Sequence, residues 1–297
     1  CVCIYSMSIN SVQVDLHLHS DHSDGRMDPD SLVRLCDKKG LKVISLTDHD
    51  TTSGLHEAKK TCRDLNIGFI PGIELGTVLN GQDIHILGYY VDESDSEFQS
   101  VLSHIREERM ERGIKIVEKL VSLGIPVSLD RVLEIADDAS LGRPHIAYAL
   151  VEIGVARHPK EAFDKFIGSG SPAYVPRKVT TPFEAIDIIN RNGALPVLAH
   201  PMHSNAKSGR EGIKGLNNIL PEMKKKGLIG MEVHYGDYSA EQINRLKLLT
   251  KEYGLIECGG SDFHAAGNPV EIKPGEVGPS LDVVDQLKHQ LDKRNGN

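Results

Sequence analysis

The sequence predicts an α/β fold, a seven-stranded βα barrel interrupted by a helical insertion. Three features of the chain lead there. Short apolar segments alternate with amphipathic ones, six of the seven strand candidates carry a candidate metal-ligating histidine, aspartate or glutamate at or near their ends, and the alternation stops between about 93 and 170, where helical periodicity runs alone. Repeated strand-then-helix units place the strands in a parallel sheet with helices covering its outside. At 297 residues the chain is long enough for one barrel-sized domain with an insertion. The expected division is a barrel from 7–92 and 171–297, a helical cap over 93–170, and an extension at 1–6, ahead of Met7.

The first strand is Val14-Asp15-Leu16-His17-Leu18-His19, followed by Ser20-Asp21-His22-Ser23-Asp24-Gly25. Alternation puts Asp15, His17 and His19 on one face and Val14, Leu16 and Leu18 on the other, the apolar one expected to face outward. Asp28-Pro29 then supplies an N-cap and an N1 proline for a helix over 30–39, ending at Gly40. The strand Lys42 to Thr47 ends in Asp48-His49, and a helix over 53–65 leads to Gly68 to Glu74, which ends on a carboxylate. Asn80-Gly81 signals a tight hairpin into Asp83-Ile84-His85-Ile86.

The insertion reads as a long charged helix over about 95–123 and shorter ones near 128–137, 143–151 and 159–167. Barrel units resume with a helix over 183–192, the strand Ala194 to Ala199 before His200-Pro201, and a helix over 215–226. The strand Leu228 to His234, a helix over 239–253, Leu255 to Gly260 before Ser261-Asp262-Phe263-His264, and a helix near 280–292 complete the chain.

In parallel βα barrels the C-terminal strand ends share one rim. His17, His19, Asp24, His49, Glu74, His85, His200, Asp262 and His264 are therefore expected to converge, although each alone has an ordinary reading as a strand histidine, a turn or a helix cap. Nine nitrogen and oxygen donors without a thiolate exceed one ion, so two or three divalent ions of Mn, Zn or Fe fit better. Asp15 and Asp48 are expected to accept hydrogen bonds from these imidazoles. Clustered divalent ions activate water and neutralise phosphoryl oxygens, which points to phosphate ester hydrolysis. The chain has no Gly-x-Ser-x-Gly, P-loop or Gly-x-Gly-x-x-Gly motif to support a serine hydrolase, NTPase or dehydrogenase.

Composition narrows the setting. The net charge of −8 argues against an extended nucleic-acid surface, so an anionic substrate must be attracted locally. With 39% hydrophobic residues and no apolar run near the roughly 20 needed to span a bilayer, no membrane association is expected. Five cysteines without paired spacing, and an opening that lacks a secretory pattern, suit the cytoplasm.

His17-x-His19, Asp24, Thr47-Asp48-His49, Pro71-Gly72-Ile73-Glu74, His85, Ala199-His200-Pro201 and Ser261-Asp262-Phe263-His264 together resemble the polymerase and histidinol phosphatase (PHP) superfamily. The resemblance implies a distorted barrel with three ions: one on His17, His19, Glu74 and Asp262, one on Asp24, His49 and His264, and one on Glu74, His85 and His200, with a bridging hydroxide as nucleophile. Gly142-Arg143-Pro144-His145 and Ala173 to Arg177 resemble the branch holding nucleoside 3′,5′-bisphosphate phosphatases and a 5′-to-3′ exoribonuclease. That branch implies that Arg143 and His145 contact substrate phosphate, with Arg177 and Lys178 as further candidates. The expected activity is hydrolysis of a small nucleotide phosphate or of the 5′ end of a short RNA. The alternatives are a histidinol-phosphate phosphatase, disfavoured by the insertion motif, and a non-catalytic metal-binding module, disfavoured by the full donor set.

Overall fold

The computed structural model describes residues 12–137, 139–176, 180–202, 212–213, 215–236, 238–267 and 271–296. Among these, seven strands form one sheet in sequence order. The first half runs β1 (Val14–Leu18), α1 (Pro29–Lys38), β2 (Val43–Leu46), α2 (Leu55–Asp64), β3 (Gly68–Leu79) and β4 (Gln82–Tyr89). The second runs α7 (Pro182–Arg191), β5 (Leu195–Leu198), α8 (Leu216–Lys225), β6 (Gly230–Tyr235), α9 (Ala240–Tyr253), β7 (Ile256–Gly260) and α10 (Asp282–Arg294). Between the halves lie α3 (Ser96–Ser122), α4 (Leu129–Ala136), α5 (Arg143–Glu152) and α6 (Pro159–Ala162), the last continuing as a π-helical turn over Phe163–Ile167.

The sheet closes on itself where β7 returns to β1. Asp262 donates its N–H to the His17 carbonyl at 2.9 Å, and His19 donates to the Phe263 carbonyl at 3.0 Å. This close approach needs glycine at 260, because a Cβ there would lie 2.4 Å from the His17 nitrogen.

The parallel sheet expected from the sequence is only partly present. β1, β2 and β3 are parallel, as are β5, β6 and β7, but β4 runs antiparallel to both β3 and β5. The cause is the Asn80-Gly81 turn, with φ of 52° and 77°. A two-residue turn with both φ positive closes a hairpin and cannot make a parallel crossover. Glu74 consequently lies in the middle of the long β3 rather than at its end, and His85 approaches the rim from within a reversed strand.

The alternation expected of β1 is also broken. Asp15 pairs with Ile44 and Leu18 with Leu46, so β1 carries one extra residue in this interval. A bulge shifts the facing of every residue beyond it. Val14 and Leu16 accordingly pack with Tyr89, Val197, Cys258 and, from α10, Val283 and Leu287, whereas Leu18 packs with Leu32, Leu46 and Leu55 beneath α1 and α2. The apolar residues of β1 therefore join two separate clusters and do not line a single outer face.

The helices start where side chains satisfy their first N–H groups. Asp28 accepts from the Ser31 N–H at 2.8 Å with Pro29 at N1, and Thr181 and Glu184 cap each other reciprocally. Residues 116–175 gather around a hydrophobic cluster of their own, from Ile116 and Leu120 through Ile146 and Leu150 to Ile167 and Ala173. α3 bridges the two bodies of packing, since its N-terminal Phe98 and Leu102 belong to the barrel cluster.

Candidate metal centre

The rim formed by closing the sheet collects the histidines and carboxylates around one buried side chain, Glu74. Its Oε2 lies 3.1 Å from both His17 Nε2 and His19 Nε2 and 3.3 Å from His49 Nδ1. Its Oε1 lies 2.7 Å from His85 Nδ1 and 3.0 Å from His200 Nε2. Asp262 Oδ1 approaches the same two nitrogens of His17 and His19 at 3.2 and 3.1 Å. Asp24 faces His264 Nε2 at 3.3 Å and His49 Nε2 at 3.7 Å. All nine residues singled out in the sequence thus lie in one cluster. Two of them hold strained backbone at strand ends, His200 with φ of 26° and Asp262 with 54°.

Among the described residues, three sets have donor atoms mutually within 4.8 Å and could each hold a metal ion: His19, Asp24, His49 and His264; His17, His19, Glu74 and Asp262; and His49, Glu74 and His85. The geometry fits such ions on two counts. His17 Nε2 and His19 Nε2 face each other at 3.1 Å, so their lone pairs repel unless a cation or proton lies between them. His19 Nδ1 is buried without a hydrogen-bond partner among the described residues, and His49 Nδ1, although 3.3 Å from Glu74 Oε2, makes no aligned hydrogen bond, an arrangement that proteins seldom leave uncompensated. The donors are imidazole nitrogens and carboxylate oxygens, the chemistry of Zn, Mn and Fe sites.

The electrostatics of the cluster's own side chains follow from its crowding. Burial alone would lower His17, His19 and His200, but Glu232, Asp262 and Glu74 outweigh it, and His19 is raised to about 10. Burial would raise Asp24, Glu74 and Asp262, yet the surrounding imidazoles hold all three well below the usual carboxylate range. His49 goes the other way, lowered to about 3 by burial. A raised imidazole stabilises the fold fully below its unfolded value of 6.5 and loses that contribution as pH rises through its folded value, here about 10 for His19. Metal needs the unprotonated nitrogen, so binding expels protons and strengthens with pH. Adding Mn²⁺ at pH 7 is therefore expected to release protons, and the melting temperature gained from Mn²⁺ should grow between pH 6.5 and 9. Titration calorimetry in buffers of different ionisation enthalpy, with melts in EDTA alongside, reads both. A buffer-independent enthalpy would contradict the protonated cluster.

The residues that hold the ligand rings differ from those expected. Asp48 accepts the Ser20 N–H at 2.8 Å and the Ser20 and Ser23 hydroxyls, each at 2.6 Å, and so shapes the loop that carries Asp24. Asp15, pushed up to about 7 by burial, accepts the Ser261 N–H at 2.9 Å and stitches β1 to β7. The acceptor for an imidazole is Glu232, fully buried on β6. His17 Nδ1 contacts both of its oxygens at 3.1 Å, and the His200 backbone N–H donates to Oε2 at 2.8 Å. Tyr235 donates its hydroxyl to Asp262 Oδ2 at 2.8 Å. Glu232 was legible in principle as the lone carboxylate inside the apolar Met231-Glu232-Val233, next to strands already assigned to the barrel.

A cavity of about 160 Å³ opens against the cluster, lined by Asp24, His49, Asp83 and His85 and by Arg109, Arg112, Arg143 and Phe163. Arg143 pairs with Asp83 at 2.9 Å and lies 5.5 Å from the Phe163 ring centre. His145 is buried and accepts the Gly142 N–H on Nδ1 at 3.0 Å. Burial lowers its pKa, against the pull of Asp24 and of a hydrogen bond to the Ser23 backbone. It lines a neighbouring cavity with Arg26 and Tyr148. Arg177, Lys178, His203 and the 1–6 extension lie outside the described residues. Of the other histidines, His158 caps α6, His104 is exposed beside Glu107, and His234 lies 3.7 Å from Glu257.

The family profile of the PHP domain matches residues 15–175, from β1 to the end of the helical segment. This chain belongs to the PHP family. The PHP chain is 32% identical over 273 residues to a 5′-3′ exoribonuclease of Haemophilus influenzae, covering 92% of this chain and 96% of that one. It is 31% identical over 255 residues to a 3′,5′-nucleoside bisphosphate phosphatase of Chromobacterium violaceum, covering 86% and 88%. A solved structure from Bifidobacterium adolescentis, assigned to the metal-dependent phosphoesterases, superposes with a TM-score of 0.84 at 30% identity over 95% of this chain and 96% of that one. No helix among the described residues of this PHP protein is long and apolar enough to cross a membrane.

Proposed function

We propose that this PHP protein is a metal-dependent phosphoesterase that hydrolyses the phosphate esters of small nucleotides, among them 3′,5′-bisphosphonucleosides, or releases nucleotides from the 5′ end of short RNA. The observation that carries this reading is the arrangement of three donor sets sharing His19, His49 and Glu74, directly beneath a cavity lined by arginines. Two or three divalent ions, of Mn, Zn or Fe, would lower the pKa of water and neutralise phosphoryl oxygens when bound.

The nine donors serve as ligands, and the chain's other groups hold the reaction in place. Glu232 keeps His17 in one orientation and ties the strained His200 backbone, while Tyr235 fixes Asp262. Arg143, whose planar guanidinium suits phosphate oxygens, grips the substrate from the cavity wall. His145, seated between the Gly142 N–H and the Ser23 backbone, holds the Asp24 loop at the right depth. The helical segment 93–170 acts as a cap that limits what reaches the rim. Cys36, Cys62 and Cys258 are buried free thiols, as suits a cytoplasmic protein.

The test is turnover by purified protein in Mn²⁺, Zn²⁺ or Fe²⁺ of adenosine 3′,5′-bisphosphate, a 5′-phosphorylated oligoribonucleotide and histidinol phosphate. Phosphate or mononucleotide release that EDTA abolishes is expected with the first two. Preference for histidinol phosphate would favour that phosphatase activity. No turnover with any metal, while elemental analysis finds metal bound, would leave a non-catalytic metal-binding module.

A further inference from the structure

The strand end that carries His49 closes on a departure from ladder geometry. His49 pairs with Glu74 as a parallel bridge, and the rungs are regular up to that point. Glu74 donates its N–H to the Asp48 carbonyl at 3.2 Å, and Asp50 donates to the Glu74 carbonyl at 3.0 Å. The next rung of a parallel ladder would run from the Gly76 N–H to the Asp50 carbonyl. Asp50 instead turns with φ of 55°, and the Gly76 N–H donates to its side-chain Oδ1 at 3.3 Å. A short carboxylate can take the place of a backbone acceptor in this way, and aspartate tolerates the left-handed region. The carbonyl released from the ladder accepts from Arg106 Nη1 at 3.0 Å.

We propose that Asp50 is a positioning residue that couples the seating of the helical cap to metal binding: its pairing with Arg109 of α3 holds the His49 backbone in register with Glu74, and ions on those ligands in turn hold the cap down. This rests on metal binding at the rim and not on which ester is hydrolysed.

The second oxygen of this buried carboxylate, Oδ2, accepts from Arg109 Nη1 at 2.6 Å. Arg109 and Arg112 lie on the inward side of α3, four and seven residues after the buried Ile105 and before Ile116. They sit where the helix passes from the barrel cluster, with Phe98 and Leu102, to the separate cluster of the cap, with Ile116 and Leu120. Arg109 also donates from Nε to the Leu141 carbonyl at 2.9 Å, which ties it to the start of α5. A buried ion pair is broken only at a cost to both partners, so the two bodies separate reluctantly at this point.

Other contacts from the cap also land beside ligands. Ser140 donates its N–H at 3.2 Å to the carbonyl of His22, two residues before Asp24, and His145 bonds the Ser23 backbone, one residue before it. Arg143 pairs with Asp83, two residues before His85. The cap is thus seated on the same short segments that present Asp24, His49 and His85. Metal sites need their ligands held to within about 0.5 Å, so a rim fixed from above binds ions more tightly than one left to its own loops. Coupling of this kind is reciprocal, and whatever factor the cap adds to metal affinity, metal returns to cap closure. Asp50 is the strongest link in the set, because one side chain bonds β3 with one oxygen and α3 with the other.

The experiment compares the parent with Asp50→Asn, which keeps the tolerance for a left-handed backbone and an acceptor for the Gly76 N–H but removes the charge facing Arg109. Arg109→Gln breaks the same pair from the cap side and leaves the contacts between Asp50 and β3 in place. Titration calorimetry with Mn²⁺ and no substrate should show affinity about 10- to 100-fold weaker in either variant. Amide exchange read by mass spectrometry, in EDTA and in saturating Mn²⁺, should slow about tenfold or more across 140–150 of the parent when metal is added. That gain should disappear in both variants while α8 and α9 exchange as in the parent. A merely structural Asp50 would lower the urea midpoint of the EDTA-treated protein yet leave the rise produced by Mn²⁺ intact. That result, or parent-like Mn²⁺ affinity in Arg109→Gln, overturns the proposal. Equal exchange of the parent's cap with and without metal overturns it as well, and that measurement needs no variant. None of these readouts uses turnover, so inactivity counts against the phosphoesterase reading alone.

Discussion

Replacing Glu74 by glutamine is expected to lower phosphoester turnover about a thousand-fold or more, equivalent to roughly 4 kcal/mol of transition-state stabilisation. Five imidazoles approach this carboxylate at 2.7–3.3 Å, and it belongs to two of the three donor sets. Glutamine keeps the volume but replaces one oxygen with an N–H donor, which has no lone pair to offer an ion or an unprotonated imidazole. The set of His19, Asp24, His49 and His264 does not use Glu74 and should keep its affinity. Metal content measured by mass spectrometry after gel filtration should therefore fall without vanishing, and circular dichroism should show the fold retained. Turnover within tenfold of the parent would mean that the reaction does not take place at this cluster.

Glu232→Gln should act through a ligand instead of removing one. The carboxylate is fully buried, takes the His17 ring on both oxygens and accepts the His200 N–H. Groups that orient metal-binding histidines typically contribute 10–100-fold to metal affinity. The Mn²⁺ concentration giving half-maximal activity is expected to rise about 10- to 100-fold, while saturating Mn²⁺ restores most of the turnover. Glu232→Leu removes both acceptors, leaves the His200 N–H without its partner, and should cost a further 1–3 kcal/mol or so of stability in urea denaturation. An unmoved metal midpoint in Glu232→Gln would show that the ring of His17 is held by its neighbours alone.

These two glutamates mark how far the chain could be read in one dimension. Glu74 stood out because it closes Pro71-Gly72-Ile73-Glu74 near other strand ends rich in histidine, and a barrel brings such ends together whatever the loops between them do. Glu232 instead lies inside its strand, two residues before the His234 that ends it. Its meaning arises only when β6 lies between β5 and β7, so that a carboxylate in an apolar strand meets His17 from a residue 215 positions away. Asp15 and Asp48 illustrate the converse, since adjacency to ligands suggested imidazole partners, but closure of the sheet and the turns of the Asp24 loop gave them backbone and hydroxyl donors first.

The helix starts, the strand count and the convergence of histidines and carboxylates follow from local chemistry: capping side chains, apolar periodicity and the shared rim of βα units. They could be read without coordinates. The reversal of β4, the extra residue in β1 and the arginines at core-facing positions of α3 could not be placed that way. A tight turn dictates that a strand reverses but not which partners it finds, and a bulge depends on pairing register with another strand. The worth of a charge on a helix likewise depends on what the opposite surface presents, and here that surface is the metal cluster.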